Sequence, residues 1–194
     1  PMDRREALRK AAWLMGATIS APAMAAILQG CKATPELTYT PQFFTEEQAR
    51  IISELAETII PKTDTPGAKD AGVPGFIDLI LKDCYKKEDQ DRFLAGLKEF
   101  DDAAKSAHGD SFIYLEPDKQ LEFAKAQNEA ALKLIKEDPS APRPFFLMAK
   151  ELTLLGFFTS EPGATQVLQY VAVPGSYKGC IPLAEAGNGK TWAS

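Results

Sequence analysis

The side chains that most often carry enzymatic or metal chemistry are scarce in this chain of 194 residues. Histidine occurs once, as His108, and cysteine three times, as Cys31, Cys84 and Cys180. A multi-histidine metal site, a haem with two histidine ligands or a Cys/His zinc site would exhaust this supply. We therefore predict no metal-binding residues in this chain.

Catalytic and cofactor-binding patterns are also missing from the sequence. It contains no Gly-rich phosphate loop, no GxGxxG fingerprint and no CxxCH motif for covalent haem. His108 stands at a predicted helix end, where a cation-capable side chain acts as a cap. The adjacent carboxylates of Asp101-Asp102 and of Glu46-Glu47 point to different helix faces, and we expect them to be solvated. The sequence thus predicts no catalytic and no cofactor-binding residues, and a protein that is not itself an enzyme.

The composition is that of an ordinary globular protein, with 45% apolar and 25% charged residues. The net charge is −5 and the pI about 5.1. A protein that binds nucleic acid needs a basic surface to meet the phosphates. We therefore expect no nucleic-acid partner.

Residues 1–30 have the pattern of an export leader. Arg4 and Arg5 precede an uncharged apolar stretch, residues 11–28, which is the arrangement of a signal peptide. The adjacent arginines, with further bases downstream, resemble a twin-arginine (Tat) signal, which directs folded proteins across the membrane. The alternative is a Sec signal or a membrane helix that happens to hold two arginines, since residues 11–30 are about long enough to span a bilayer. We expect Arg4 and Arg5 to be the export signal and the protein to be periplasmic.

The leader ends in Ile27-Leu28-Gln29-Gly30-Cys31, which looks like a lipobox. Cleavage before Cys31 would turn that cysteine into a lipidated N-terminus that anchors a soluble domain. The alternative is a cysteine that lies at a signal boundary by chance. Cys31 is the lipidation candidate, and membrane association is expected through the leader or the lipid.

The remainder predicts an all-α fold, a single helical domain over residues 45–170 with irregular N- and C-terminal arms. The first helix follows a capping box of Thr45 and Gln48 and stops at Pro61. Further helices are predicted over 76–86, over 87–107, from Pro117 onward and over 144–158. Residues 31–44 are predicted to be an extended tether and residues 61–75 a structured loop. The buried stripe of the fourth helix is expected to hold Leu121, Ala124, Asn128, Ala131, Leu132 and Ile135.

The fifth predicted helix is apolar on all sides, which is typical of a central helix that packs on several neighbours. The alternative is that a partner protein covers one of its sides. A short helix is predicted near residues 164–170. The C-terminal arm, residues 171–194, is too long and too apolar for a disordered end, and we expect it to wrap over another surface.

Cysteine usage leaves an even pair if Cys31 carries a lipid. Cys84 and Cys180 could then join in an oxidising periplasm. Such a bridge would contribute roughly 4–5 kcal/mol in the chain-entropy model. The alternative is two separate buried thiols.

Two longer segments carry a family resemblance. The first reads Ile59-Ile60-Pro61-Lys62-Thr63-Asp64-Thr65-Pro66-Gly67-Ala68 and is followed by Gly72-Val73-Pro74. The second reads Leu155-Gly156-Phe157-Phe158-Thr159-Ser160-Glu161-Pro162-Gly163, and Tyr177-Lys178-Gly179-Cys180 comes after it. In these segments the chain resembles the gluconate 2-dehydrogenase subunit 3 family, and the resemblance runs from the leader through almost the whole chain. Phe157-Phe158 stand where paired tyrosines are frequent in that family.

The resemblance implies the non-catalytic small subunit of a periplasmic sugar or sugar-acid dehydrogenase. The large subunit of such a complex would be an FAD-dependent flavoprotein of the glucose–methanol–choline type, and a cytochrome c subunit with haem c often takes the electrons. The small subunit would carry the Tat signal for the flavoprotein, so that the folded pair is exported together. An independent periplasmic lipoprotein that acts as a binding module is the alternative function.

The same resemblance implies an interface with the flavoprotein. We expect it to lie at Phe157 and Phe158 and along the C-terminal arm at Tyr177 and Trp192, because aromatic side chains on irregular segments are typical interface anchors. Aromatic residues that belong to the core are the alternative.

Overall fold

The structure is a computed structural model, and it describes residues 34–173, 175–176, 178–185 and 189–193. The chain divides into two compact units, Pro1–Thr34 and Pro35–Ser194. Apart from Thr34, the first unit lies outside the described residues. The predicted export signal at Arg4 and Arg5 and the lipidation candidate Cys31 therefore lie outside them too, as does Tyr177.

The second unit is built from five α-helices, which confirms the all-α prediction. They are α1 (Glu46–Ile59), α2 (Val73–Cys84), α3 (Lys87–His108), α4 (Pro117–Glu137) and α5 (Phe145–Thr159). A 3-10 turn (Phe112–Tyr114) joins α3 to α4, and a π-helical turn (Gly163–Val167) follows α5. The predicted short helix near residues 164–170 is thus a single wider turn.

The helix ends lie close to where local sequence signals place them. The predicted capping box forms at the start of α1, where the Thr45 side chain accepts from the Gln48 amide and the Gln48 side chain accepts from the Thr45 amide. Gly109 takes the left-handed conformation (φ 79°) that ends α3. The start of α2 was predicted too late: Gly72 (φ 71°) turns the chain and the helix begins at Val73, with Pro74 in its first turn.

The central helix is α5, which packs against all four other helices. Small residues allow two of these approaches. A Cβ on Gly156 would lie 2.6 Å from the Phe76 ring of α2, and a Cβ on Gly96 of α3 would lie 2.4 Å from Cβ of Phe145. Because neither glycine carries a side chain, aromatic rings fill the space between the helices.

The buried stripe of α4 differs from the prediction. Ala124 and Ala131 are buried as expected, but Leu121 and Leu132 are exposed. The reason is the Phe123 ring, which lies 5.1 Å from the ring of Phe100. This contact turns the helix so that the side chains of the two leucines face solvent.

The chain before α1 is not a free tether. Residues 35–44, here called the N-terminal strap, have no helix or strand but lie against the body, and Phe44 is part of the core. The Asp78 carboxylate of α2, only 1% exposed, accepts from the N–H groups of Gln42 (2.7 Å), Phe43 (3.2 Å) and Phe44 (2.9 Å). The prediction of a tether missed this anchor because a contact between residues 36 positions apart leaves no local signal.

Both acidic residues of the pair on α3 were expected to be solvated, but only one of them is. Asp102 is exposed and pairs with Lys98, but Asp101 is buried. Its carboxylate accepts from the Ser111 hydroxyl at 2.6 Å and from the Phe112 N–H at 2.9 Å, and it pairs with Lys105 at 2.7 Å. Asp101 therefore positions the turn between α3 and α4. The ion pair raises the pKa of Lys105, first through the hydrogen bond to Asp101.

Candidate partner interface

The last two turns of α5 are apolar on their outward side although that side faces solvent, whereas Glu151, one turn earlier on the same side, is exposed and pairs with Arg143. Leu154, Leu155 and Phe158 are 37%, 47% and 37% exposed, and we call these three residues the outer face of α5. They fall on one side of the helix because Phe158 lies three and four positions after the two leucines, the spacing at which helix side chains are neighbours. Burial explains the apolar residues on the inner faces of α5, but the outer face is apolar without any covering element among the described residues.

The two adjacent phenylalanines of the predicted interface have different environments. Phe158 belongs to the outer face, whereas Phe157 is 2% exposed and its side chain lies in the core. Consecutive helix positions point about 100° apart, so a single residue separates a core side chain from a surface one. Phe157 is therefore a packing residue, whereas Phe158 is exposed beside Leu154 and Leu155, which the sequence reasoning did not single out. Their spacing relative to Phe158 is the signal that could have found them.

The turn after α5 is built by the residues that follow Phe158. The Ser160 hydroxyl donates to the Phe157 carbonyl at 2.6 Å and accepts from the Gly163 N–H at 3.1 Å. A Cβ on Gly163 would lie 1.9 Å from that same carbonyl oxygen, so only glycine fits. This turn redirects the chain from α5 into the C-terminal arm.

The C-terminal arm is closed at its base by a short parallel β-bridge between Gln169 and Trp192. The Gln169 N–H donates to the Thr191 carbonyl at 2.7 Å, and the Ala193 N–H donates to the Gln169 carbonyl at 2.9 Å. Of the arm's described residues up to Trp192, all but Ile181 are exposed, Trp192 at 47% and Val173 at 82%. The described part of the arm therefore does not wrap over its own body.

Charge is depleted along this whole region. Between Leu152 and Ala184 only Glu161 and Lys178 are charged, whereas about one residue in three is charged between Glu46 and Glu151. Charged residues are depleted and aromatic residues enriched at the centre of protein interfaces. The charge pattern and the exposure of the outer face of α5 thus point to the same segment of the chain.

The cysteine pair is not bridged in this structure. Cys84, at the end of α2, and Cys180, in the C-terminal arm, are both free thiols and both exposed. The alternative expected two buried thiols, whereas both thiols are exposed. Their pairing in an oxidising compartment stays a prediction.

The remaining chemistry of the described residues is limited. His108 lies in the last turn of α3, where its ring and that of Phe123 pack edge to face with their centroids 5.8 Å apart. Within the described ranges, no three His, Cys, Asp or Glu side chains come together as a metal site would require. Among the same residues, none of the helices is both long and apolar enough to cross a membrane.

The helical body exposes a small apolar face on α5, a feature of proteins that contact another chain. A comparison with known protein families identifies the family of this chain. The family model described as gluconate 2-dehydrogenase subunit 3 matches residues 46–175, and the chain belongs to that family. A search of the curated proteins and a search of the solved structures found no match to this chain. The family is that of one subunit of a multi-subunit dehydrogenase, so the chain is an accessory subunit of a dehydrogenase complex.

Proposed function

We propose that this chain is the non-catalytic small subunit of a periplasmic, FAD-dependent sugar or sugar-acid dehydrogenase, and that it stabilises the large flavoprotein subunit and carries it through the Tat pathway. The flavoprotein is of the glucose–methanol–choline type and performs the oxidation. A third subunit with haem c is the expected electron acceptor. The small subunit itself contributes binding surface and the export signal.

The observation that carries this proposal is the outer face of α5 in a chain that belongs to a subunit family. Its three large apolar side chains lie next to one another in water on the central helix, and contiguous exposed apolar patches mark interaction sites. Tyr170, Val171, Val173, Leu183 and Trp192, which follow α5 in the chain, are also exposed. Burial of this surface against the flavoprotein would account for both its composition and its exposure.

The export role rests on the sequence of the leader and on the strap. Asp78 fastens the strap to α2, so residues 42–44 belong to the folded body. Ten residues, 32–41, lie between Cys31 and Gln42, the first of these residues. The twin-arginine pathway moves folded proteins, which suits a leader that exports a folded complex.

The interface is tested by co-expression of the chain with its flavoprotein and purification through a tag on the small subunit. Leu155→Ala combined with Phe158→Ala should reduce the recovered flavin at least about tenfold, because hot-spot residues dominate binding. The melting temperature of the isolated chain should fall by only a few degrees, since both side chains are partly solvated already. Leu121→Ala combined with Leu132→Ala is the matched control, because both leucines are exposed on α4.

Two results would count against the interface. If both double variants retain the flavoprotein equally, the outer face of α5 is not the contact surface. If the unaltered chain purifies without any flavin-bearing subunit, the subunit proposal itself fails and the independent lipoprotein becomes the better reading.

The export role is tested by Arg4→Lys combined with Arg5→Lys. This variant should leave both subunits in the cytoplasm, while the complex still forms there. A flavoprotein that reaches the periplasm beside the variant would show that another signal carries it.

A further inference from the structure

The segment that leaves the π-helical turn has the composition of a β-strand. Residues 167–173 read Val-Leu-Gln-Tyr-Val-Ala-Val, without a charge, proline or glycine. β-Branched and aromatic residues are enriched in strands because they suit a pleated, half-buried surface. In the structure this segment pairs only at Gln169, through the bridge to Trp192.

One edge of this segment is therefore occupied and the other is open. In a parallel bridge the N–H and C=O of one residue both point to the neighbouring strand, and here they are those of Gln169. Because backbone groups alternate along an extended segment, the N–H and C=O of Tyr170 point to the opposite edge. Neither group of Tyr170 is hydrogen-bonded to any residue that the structure describes, and its side chain is 58% exposed.

Natural proteins protect open strand edges with charges, prolines, bulges or a covering element. None of the residues 168–171 is charged or proline, and the covering element is absent from the described residues. An edge left in this condition on a soluble protein calls for an extended segment that completes it. Main-chain hydrogen bonds then supply affinity, and alternate side chains supply specificity.

We propose that the edge at Tyr170 is completed by an uncharged extended segment of the large dehydrogenase subunit, which adds as a strand beside residues 168–171. The inference rests on the proposed function and deepens it, since it names a second, main-chain contact beside the outer face of α5. A second copy of this chain is a weaker occupant. Four paired residues bury far less than a stable dimer needs, whereas the large subunit already gains area on α5.

The test is Tyr170→Pro in the chain co-expressed with the FAD-dependent subunit. Proline removes the N–H that faces the open edge and retains extended backbone. Because that N–H has no partner among the described residues, the melting temperature of the isolated chain should stay unchanged. The affinity of Tyr170→Pro for the large subunit should be about tenfold lower than that of Tyr170→Ala, because one interface hydrogen bond is then left unmade.

Val171→Pro is the matched control, since the N–H of Val171 points to the same edge as that of Gln169 and should not contact the partner. Slowed hydrogen exchange of the Tyr170 amide in the complex is a second, independent readout. Equal affinities of Tyr170→Pro and Tyr170→Ala would overturn the strand proposal. The subunit role would then still stand if the unaltered chain binds the large subunit. If the isolated chain forms a dimer and Tyr170→Pro abolishes that dimer, the occupant of the edge is a second copy of this chain and not the large subunit.

Discussion

The Asp78 carboxylate makes the clearest quantitative prediction for the stability of this fold. It lies inside an apolar run of α2 and accepts from three consecutive backbone N–H groups of the strap. Asp78→Ala would remove the only acceptor that the described residues provide for these donors. The strap would then be held by the packing of Leu37, Tyr39, Phe43 and Phe44 against the core and by the Arg50 hydrogen bond to the Pro35 carbonyl.

The size of the effect follows from the burial of each donor. A hydrogen bond to a charged acceptor contributes about 1.5–3 kcal/mol. Gln42 is exposed and Phe43 partly exposed, so their N–H groups can turn to water in the variant. Phe44 is buried and its N–H would stay unpaired. We expect a loss of about 3 kcal/mol in the free energy of unfolding, which lowers the melting temperature of a chain of this size by about 6–12 °C.

The assay is a thermal melt followed by circular dichroism, with limited proteolysis at Tyr39 and Phe43 as a local probe of the strap. Asp83→Ala is the matched control, because Asp83 is exposed on the same helix and should change stability by less than about 0.5 kcal/mol. Asp78→Asn keeps the volume of the side chain, so a loss there as well assigns the effect to the acceptor rather than to a cavity. An Asp78→Ala variant that melts like the unaltered chain and keeps its strap protected would refute the reasoning.

Two further predictions concern the strap and the loop before α2. The Tyr39 hydroxyl is buried without a hydrogen-bond partner among the described residues, so Tyr39→Phe should leave the free energy of unfolding unchanged or raise it by up to about 1 kcal/mol. Burial, and after it the Asp78 charge, raises the pKa of Tyr39. The neutral phenol therefore stabilises the fold fully below about pH 10 and less as the pH rises further. At alkaline pH the melting temperature of the unaltered chain should fall relative to that of Tyr39→Phe. A Cβ on Gly67 would lie 2.3 Å from the Glu57 carboxylate and 2.7 Å from the backbone nitrogen of Lys62. The N–H groups of Lys62 and Lys69 both donate to that carboxylate at 2.9 Å, so Gly67→Ala should cost about 1–3 kcal/mol. Gly75→Ala, whose Cβ would meet Tyr39 at an ordinary 3.5 Å, is the control, and equal melts of the two variants would show that Glu57 does not hold the loop.

Much of the helical framework could be predicted from the sequence because helix ends depend on neighbouring residues. The Thr45 capping box, Pro117 at the start of α4 and Gly109 at the end of α3 each act within a turn or two of the chain. The apolar character of α5 on all sides is likewise visible in the letters alone. So is the family resemblance, which the family match over residues 46–175 confirms.

The tertiary structure decided which side of each helix is buried and which polar groups form long-range hydrogen bonds. The apolar stripe of α4 allowed more than one orientation, and the contact between Phe123 and Phe100 selected one that exposes Leu121 and Leu132. Phe157 and Phe158 are identical letters, and only the neighbours of α5 separate a core ring from a surface ring.

The buried carboxylates show the same limit. Asp78 and Asp101 have no distinguishing local pattern, since their partners in the strap and in the turn before α4 lie many positions away. The open edge at Tyr170 likewise depends on the distant residue Trp192. Helix caps and helix ends depend on interactions between residues close in sequence. Burial and long-range hydrogen bonds form only when distant parts of the chain come into contact.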